Sequence, residues 1–179
     1  MDFKELTRTR QSCRKYDPEL DVSREDLNEI LEAARLAPSA CNGQPYHITV
    51  CAGNIAKEAA KLVQGMGMNG FASSAPILLV ISEEPYVKTA AFGAKVKNND
   101  YRSIDIGILS AYITNRSAEL GLGSCMLGWF DEAALMKLCH LSGRVRLVIT
   151  VGHPVKDDPI RAKKRKELET LVTFLGDET

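Results

Sequence analysis

An α+β domain is expected: a layered α/β/α arrangement with helices flanking a central mixed, mainly antiparallel sheet. Three observations predict it. Helical and strand-like stretches follow the order α-α-β-α-β-loop-α-β-α-β-tail, short of the strict alternation of a doubly wound parallel sheet. Four or five strand-like runs occur, and one, residues 76–81, is apolar almost throughout, as in a strand buried on both faces. The 179 residues are 45% hydrophobic, enough for one sizeable core, so residues 1–179 are read as a single domain.

Each element has a local cause. Asp2 can cap a short first helix, with Glu5 three residues on, and Asp17-Pro18 breaks it off. Ser23-Arg-Glu-Asp26 is a second capping signature. Leu27, Ile30, Leu31 and Ala34 follow at helical spacing, and Pro38 ends the helix. Residues 46–51 read as a strand between Pro45 and Gly53. Asn54 is expected to cap a third helix with Ile55, Ala59, Leu62, Val63 and Met66 on one face. Residues 83–100 show weak periodicity, either a loop or a short helical excursion, the kind of segment that often covers a substrate.

Residues 101–121 form the longest predicted helix, with apolar side chains on several faces, so it is largely buried. Ser103, Gly107, Ser110, Thr114, Ser117 and Gly121 recur in steps of three and four, a stripe of small residues along one side. Such a stripe admits a close neighbour, either the protein's own sheet or a second copy of the chain. Gly121-Leu-Gly123 ends the helix. Residues 124–130 are strand-like, Asp131 caps a helix carrying Leu135, Leu138 and Cys139 inward, and residues 144–151 make a strand turned by Gly152-His-Pro154. Residues 155–179 are a basic segment followed by an apolar C-terminal arm.

Composition narrows the function. Basic and acidic residues balance at 23 each, without the basic excess of a nucleic-acid or membrane-surface binder. No apolar run reaches the roughly 18 residues of a membrane span, and no secretory leader is expected at the amino terminus. The five cysteines are an odd number at wide spacing with no C-x-x-C pair, which fits free thiols in a reducing cytoplasm better than a metal site or a disulfide framework. The histidines, His47, His140 and His153, have no ligand spacing and read as structural or surface residues. No phosphate loop or nucleophile elbow is present. The glycines at 121 and 123 follow a helix and precede a strand, the wrong order for a dinucleotide fingerprint.

What remains is anion binding without a glycine loop. Arg10-Gln-Ser-Cys-Arg-Lys-Tyr16 gathers two guanidiniums, a lysine, a hydroxyl and a ring, and guanidinium forks suit a terminal phosphate. Ala37-Pro-Ser-Ala-Cys-Asn-Gly-Gln-Pro-Tyr46 stops a helix, turns and re-enters extended chain, leaving Ser39 and Asn42 with several amides at a concave corner. Either stretch alone is also what a solvated surface or a plain connector looks like. Lys163-Lys-Arg-Lys166 lies near the other end.

In combination these stretches resemble the nitroreductase family of flavin enzymes. The first is similar to its R-x-S-x-R-x-[FY] opening, and the second to its A-P-S-x-x-N-x-Q-P-W segment, with Tyr46 in place of the tryptophan. Gly121-Leu-Gly-Ser-Cys-Met-Leu-Gly128 resembles its G-L-G-[ST]-x-x-[LI]-G run, Gly152-His-Pro154 its G-Y-P turn and Lys163-Lys-Arg165 its late basic pair. The matches come in family order and span nearly the whole chain.

The resemblance implies a homodimer with flavin mononucleotide (FMN) at the subunit interface. NADH or NADPH would reduce it, and a small acceptor such as a nitroaromatic or a quinone would then replace the nicotinamide. By match, Arg10 and Ser12 hold the phosphate or ribityl chain, with Gln11 in the same motif, and Lys163 and Arg165 close on the phosphate. Arg14 lies near the pyrimidine edge, where a cation suits the charge that reduction adds. Asn69 is a further candidate there. Pro38, Ser39, Ala40 and Asn42 line the ring from the partner subunit, and the backbone at Leu127 and Gly128 faces N5. The small-residue stripe would then lie at the dimer interface. The same family includes members using flavin for reductive dehalogenation or flavin breakdown. A flavin carrier without turnover, or an interaction domain binding acidic partners, would be a different class.

Overall fold

The computed structural model describes residues 1–176. In chain order its helices and strands are α1 (Phe3–Thr9), α2 (Arg24–Arg35), β1 (Tyr46–Ala52), α3 (Gly53–Leu62), β2 (Ile77–Glu83), α4 (Lys88–Lys97), α5 (Tyr101–Glu119), β3 (Gly123–Leu127), α6 (Glu132–Leu138), β4 (Val145–Gly152) and α7 (Leu168–Leu171). Capping residues set several starts. Asp2 accepts the Glu5 N–H at 2.8 Å, Ser23 the Asp26 N–H at 2.9 Å and Asp131 the Ala134 N–H at 3.0 Å. Each satisfies one orphan donor of a first turn.

The strands form one sheet in the order β1-β2-β4-β3, every named pair antiparallel. The expected parallel component is reduced to an isolated bridge between Ser12 and Ser124. Central β2 is buried from Ile77 through Ser82, and the period of two divides it. Leu78 and Val80 join a core with Ala56, Ala59, Ala60 and Val63 on and just after α3, and with Leu135 of α6. Ile77, Leu79 and Ile81 join a second core with Leu27, Ile30 and Ala34 of α2 and Ile106, Leu109 and Ile113 of α5. The result is three layers. Each fully buried Leu or Ile contributes about 1.5–3 kcal/mol.

Three expectations change. Asn54 does not cap α3: the helix starts at Gly53 (φ +57°), preceded by extended Ala52, with no side-chain cap. Its inward face is alanine, while Ile55 is 45% and Met66 83% exposed. Met66 lies beyond the helix end, and Ile55 falls on the outer side of the alanine face. Of the two readings of residues 83–100, the short helical excursion is the one observed, as α4, with Val87 close to Gly43.

The third change concerns α5. Ser110, Thr114 and Ser117, the middle of the small stripe, are buried inside the protomer. Their hydroxyls donate to the carbonyls of Ile106, Ser110 and Ile113 at 2.7–2.9 Å. Self-satisfied hydroxyls can be buried without an outside partner, so this part of the stripe serves packing within the chain. The outward face shares Gly107 with the stripe and adds exposed Ile104, Ala111 and Tyr112. From residue 168 on, the arm leaves its apolar side chains open: Leu168, Leu171, Phe174 and Leu175 are 61–93% exposed. Residues 177–179 of the expected arm lie outside the described residues.

Candidate cofactor site

After α1 the chain runs extended along the free edge of β3. The Cys13 N–H donates to the Ser124 carbonyl at 2.9 Å, and Ser12 bridges Ser124 in parallel. Tyr16 pins the far end. It is 3% exposed, and its hydroxyl bonds Thr150 Oγ1 at 2.7 Å and the Cys13 carbonyl at 3.1 Å. Burial pushes the Tyr16 phenol above its ordinary range, so it stays protonated and able to donate. Gly123 permits the close approach, since a Cβ there would sit 2.6 Å from the Cys13 Cβ.

An extended chain alternates its side chains. Ser12 faces one cavity of about 300 Å³, lined also by Arg10, Gln11, Arg161, Ala162, Lys163, Lys164 and Arg165. Cys13 faces another, of about 360 Å³, walled by the end of α5 and residues 121–124 and sharing Arg10 and Gln11 with the first. The smaller cavity gathers five cations and no carboxylate. Burial, and then the charges of Arg10 and Arg165, hold the Lys163 ammonium below its ordinary pKa. That mutual repulsion is what a bound anion relieves, so the residues present fit a phosphate group.

The basic arm is tied down. The Gln11 carboxamide accepts the Arg161 N–H at 2.9 Å and donates to the Pro159 carbonyl at 3.1 Å. The Arg161 guanidinium donates to the Ser12 carbonyl at 2.7 Å, and Lys163 Nζ to the Arg10 carbonyl. Asp158, whose side chain is 2% exposed, holds Arg161 at 3.3 Å.

The other candidates sit elsewhere on the same edge or farther off. Arg14 is exposed, two residues along from Ser12. The contact with β3 is the single bridge at Ser12 and Ser124, and by residues 15–17 the chain pairs with residues 153–155 beyond β4. Leu127 buries its side chain in the core, and Gly128 is exposed beyond it. Asn69 has left-handed backbone (φ +59°), and its Nδ2 donates to the Val63 carbonyl at 3.0 Å and the Trp129 carbonyl at 3.4 Å. It therefore braces the chain that follows Gly128.

The 38–44 loop does not line the cationic cavity of its own chain. It is a short 3-10 turn with positive φ at Cys41, Asn42 and Gln44, a strained run for residues with a Cβ. Ser39 Oγ accepts the Gln44 N–H at 3.0 Å, and the Ala40 N–H donates to Asp105 of α5 at 2.9 Å. The other Asp105 oxygen and the Tyr46 hydroxyl are buried without partners.

Sequence reading missed Asp105 and Arg161. An acid inside an otherwise apolar helix was the available signal for the first. The second stood two residues ahead of the basic pair. Among the described residues no group of three His, Cys, Asp or Glu could hold a metal, and no helix is long and apolar enough to cross a membrane.

A three-layer α+β domain with a cluster of cations at one sheet edge is the class these features define. The chain matches the nitroreductase family over residues 7–153, and it belongs to that family. It is 27% identical to the oxygen-insensitive NADPH nitroreductase of Helicobacter acinonychis (strain Sheeba), over 96% of each chain. A shorter match to YdgI of Bacillus subtilis (strain 168), 32% identical, spans 51% of this chain and 48% of that relative. Among solved structures, a nitroreductase family protein from Streptococcus pneumoniae TIGR4 superposes with TM-score 0.81 at 23% identity, covering 97% of this chain and 100% of that one. An FMN-dependent nitroreductase from Clostridium difficile R20291 superposes with TM-score 0.72 at 24% identity, covering 96% and 98%.

Proposed function

We propose that this protein is an FMN-dependent oxidoreductase that takes hydride from NADH or NADPH and passes it to a small acceptor such as a nitroaromatic or a quinone. The carrying observation is the cationic cavity at residues 10–12 and 161–165. A ligand with a terminal phosphate fits it. The names of the Helicobacter and Clostridium relatives support it. FMN, when bound, supplies reversible two-electron chemistry at N5.

The protein's part is to bind and orient. Arg10, Ser12, Lys163 and Arg165 hold the phosphate by charge-assisted hydrogen bonds. Arg14 offsets the negative charge that reduction places on the pyrimidine edge. The Leu127–Gly128 backbone lies by the reacting position, with Asn69 bracing that stretch. Flavin would supply the hydride chemistry without a general acid from the protein, and donor and acceptor would occupy the site in turn, a ping-pong scheme.

Pro38, Ser39, Ala40 and Asn42 complete the site from a second copy. Two features support a homodimer: the loop does not line its own chain's cavity, and the outward face of α5 and the C-terminal arm leave large apolar side chains exposed. The proposed setting is the reducing cytoplasm.

The first test is an absorption spectrum of the purified protein, then anaerobic addition of NADH and NADPH. Flavin bands that bleach are expected. Bands that persist with both donors would point to a carrier, and no flavin after incubation with excess FMN would remove the reading.

A further inference from the structure

We infer that Gln11 is a positioning residue that assembles the anion cavity by fastening the C-terminal basic arm, and that it does not itself bind the phosphate. The inference rests on the proposed FMN site and goes beyond it. Gln11 and Arg161 are 150 residues apart, yet the carboxamide makes two backbone hydrogen bonds to residues 159 and 161, as a neighbouring peptide would in a sheet. Both ends of the amide are engaged, and each bond fixes main chain. Residues 159–166 form no helix or strand of their own. The arm thus lacks regular backbone pairing just where it must present Lys163 and Arg165.

The charges make such a tie necessary. Arg10 comes to the cavity from one end of the chain, and Arg161, Lys163, Lys164 and Arg165 come from the other. Like charges this close repel one another, so the cavity needs contacts that hold the arm in place. The Arg161 guanidinium and the Lys163 ammonium contact the Ser12 and Arg10 carbonyls, and each contact occupies a donor of a cationic group. The buried Asp158 carboxylate holds Arg161 from behind. Gln11 is neutral, so it holds the wall closed without competing for the anion or adding to the repulsion. Preorganisation of this kind raises affinity by removing the ordering cost from the binding step.

Gln11→Met keeps the length of the side chain and removes both hydrogen bonds, and Gln11→Ala is the second variant. FMN and riboflavin differ by the phosphate alone, so the ratio of their dissociation constants isolates this cavity. Losing two neutral hydrogen bonds should lower the FMN preference about tenfold, with riboflavin affinity unchanged. Without any flavin, trypsin should cut the 161–166 arm faster in the variants, and pyrophosphate should protect the wild-type arm more than theirs. An unchanged ratio with unchanged proteolysis overturns the inference, and so does equal weakening of FMN and riboflavin. A wild-type protein that binds no flavin while pyrophosphate still protects its arm leaves the tether in place and removes the flavin reading instead.

Discussion

The Asp105 carboxylate, 2% exposed on α5, accepts the Ala40 N–H at 2.9 Å across 65 residues of chain. It ties the strained 38–44 loop to the longest helix. Removing it leaves a partly buried amide without a partner, which costs about 1–3 kcal/mol. Asp105→Ala should lower stability by that amount in urea unfolding. Asp105→Asn, which keeps an acceptor, should lose less. Equal stability of Asp105→Ala and wild type would show that the loop is held by other contacts.

Arg10→Glu should abolish FMN retention while leaving the far-UV spectrum intact, because it sets a carboxylate where the phosphate oxygens belong. A charged hydrogen bond is worth about 1.5–3 kcal/mol, roughly ten- to hundredfold in affinity, before the added repulsion. Equilibrium dialysis against FMN measures it. A variant that keeps its full flavin complement would displace the phosphate from this cavity.

Asp100 caps α5 and also faces Arg146. Hydrogen bonds from Ser103 first, and the Arg146 charge after them, depress its carboxyl from 3.8 to about 2. The folded pKa is the lower one, so the carboxylate stabilises the fold above the unfolded value and the effect is lost as pH falls from 3.8 to about 2. The side chain is 53% exposed, so solvent screening reduces the gain. Asp100→Asn should flatten that part of the acid-unfolding curve, and an unchanged curve would remove Asp100 from the acid response.

Tyr112→Glu or Ile104→Glu, on the outward face of α5, should shift the sedimenting species from dimer to monomer. Thr114→Trp acts differently. Thr114 is 2% exposed inside the protomer, so a bulky residue there overpacks the core, at about 1–3 kcal/mol or more, and lowers thermal stability. A monomeric wild type would remove the dimer proposal outright.

Much of the local structure was legible. Asp2, Ser23 and Asp131 announced their helices because a cap is a contact between residues three apart. The apolar run at 76–81 announced a strand covered on both faces, and β2 is that strand. Of the residues singled out at 10–16, Arg10, Gln11 and Ser12 line one cavity with the distant basic segment. Legibility failed at Ile55, where a helical spacing was present but its phase relative to the sheet was not, and at Met66, because α3 ends at Leu62.

The sequence by itself determined which segments fold as helices and strands, and that cations cluster near both ends of the chain, because these follow from neighbours within one or two turns. Only the tertiary structure decided that Gln11 fastens the arm at Pro159 and Arg161, that Asp105 anchors Ala40, and that Ser110, Thr114 and Ser117 face inward. Those relationships join residues far apart or choose which side of a helix meets the sheet. They are set by packing two cores against one four-stranded sheet, and no short window of sequence contains that constraint.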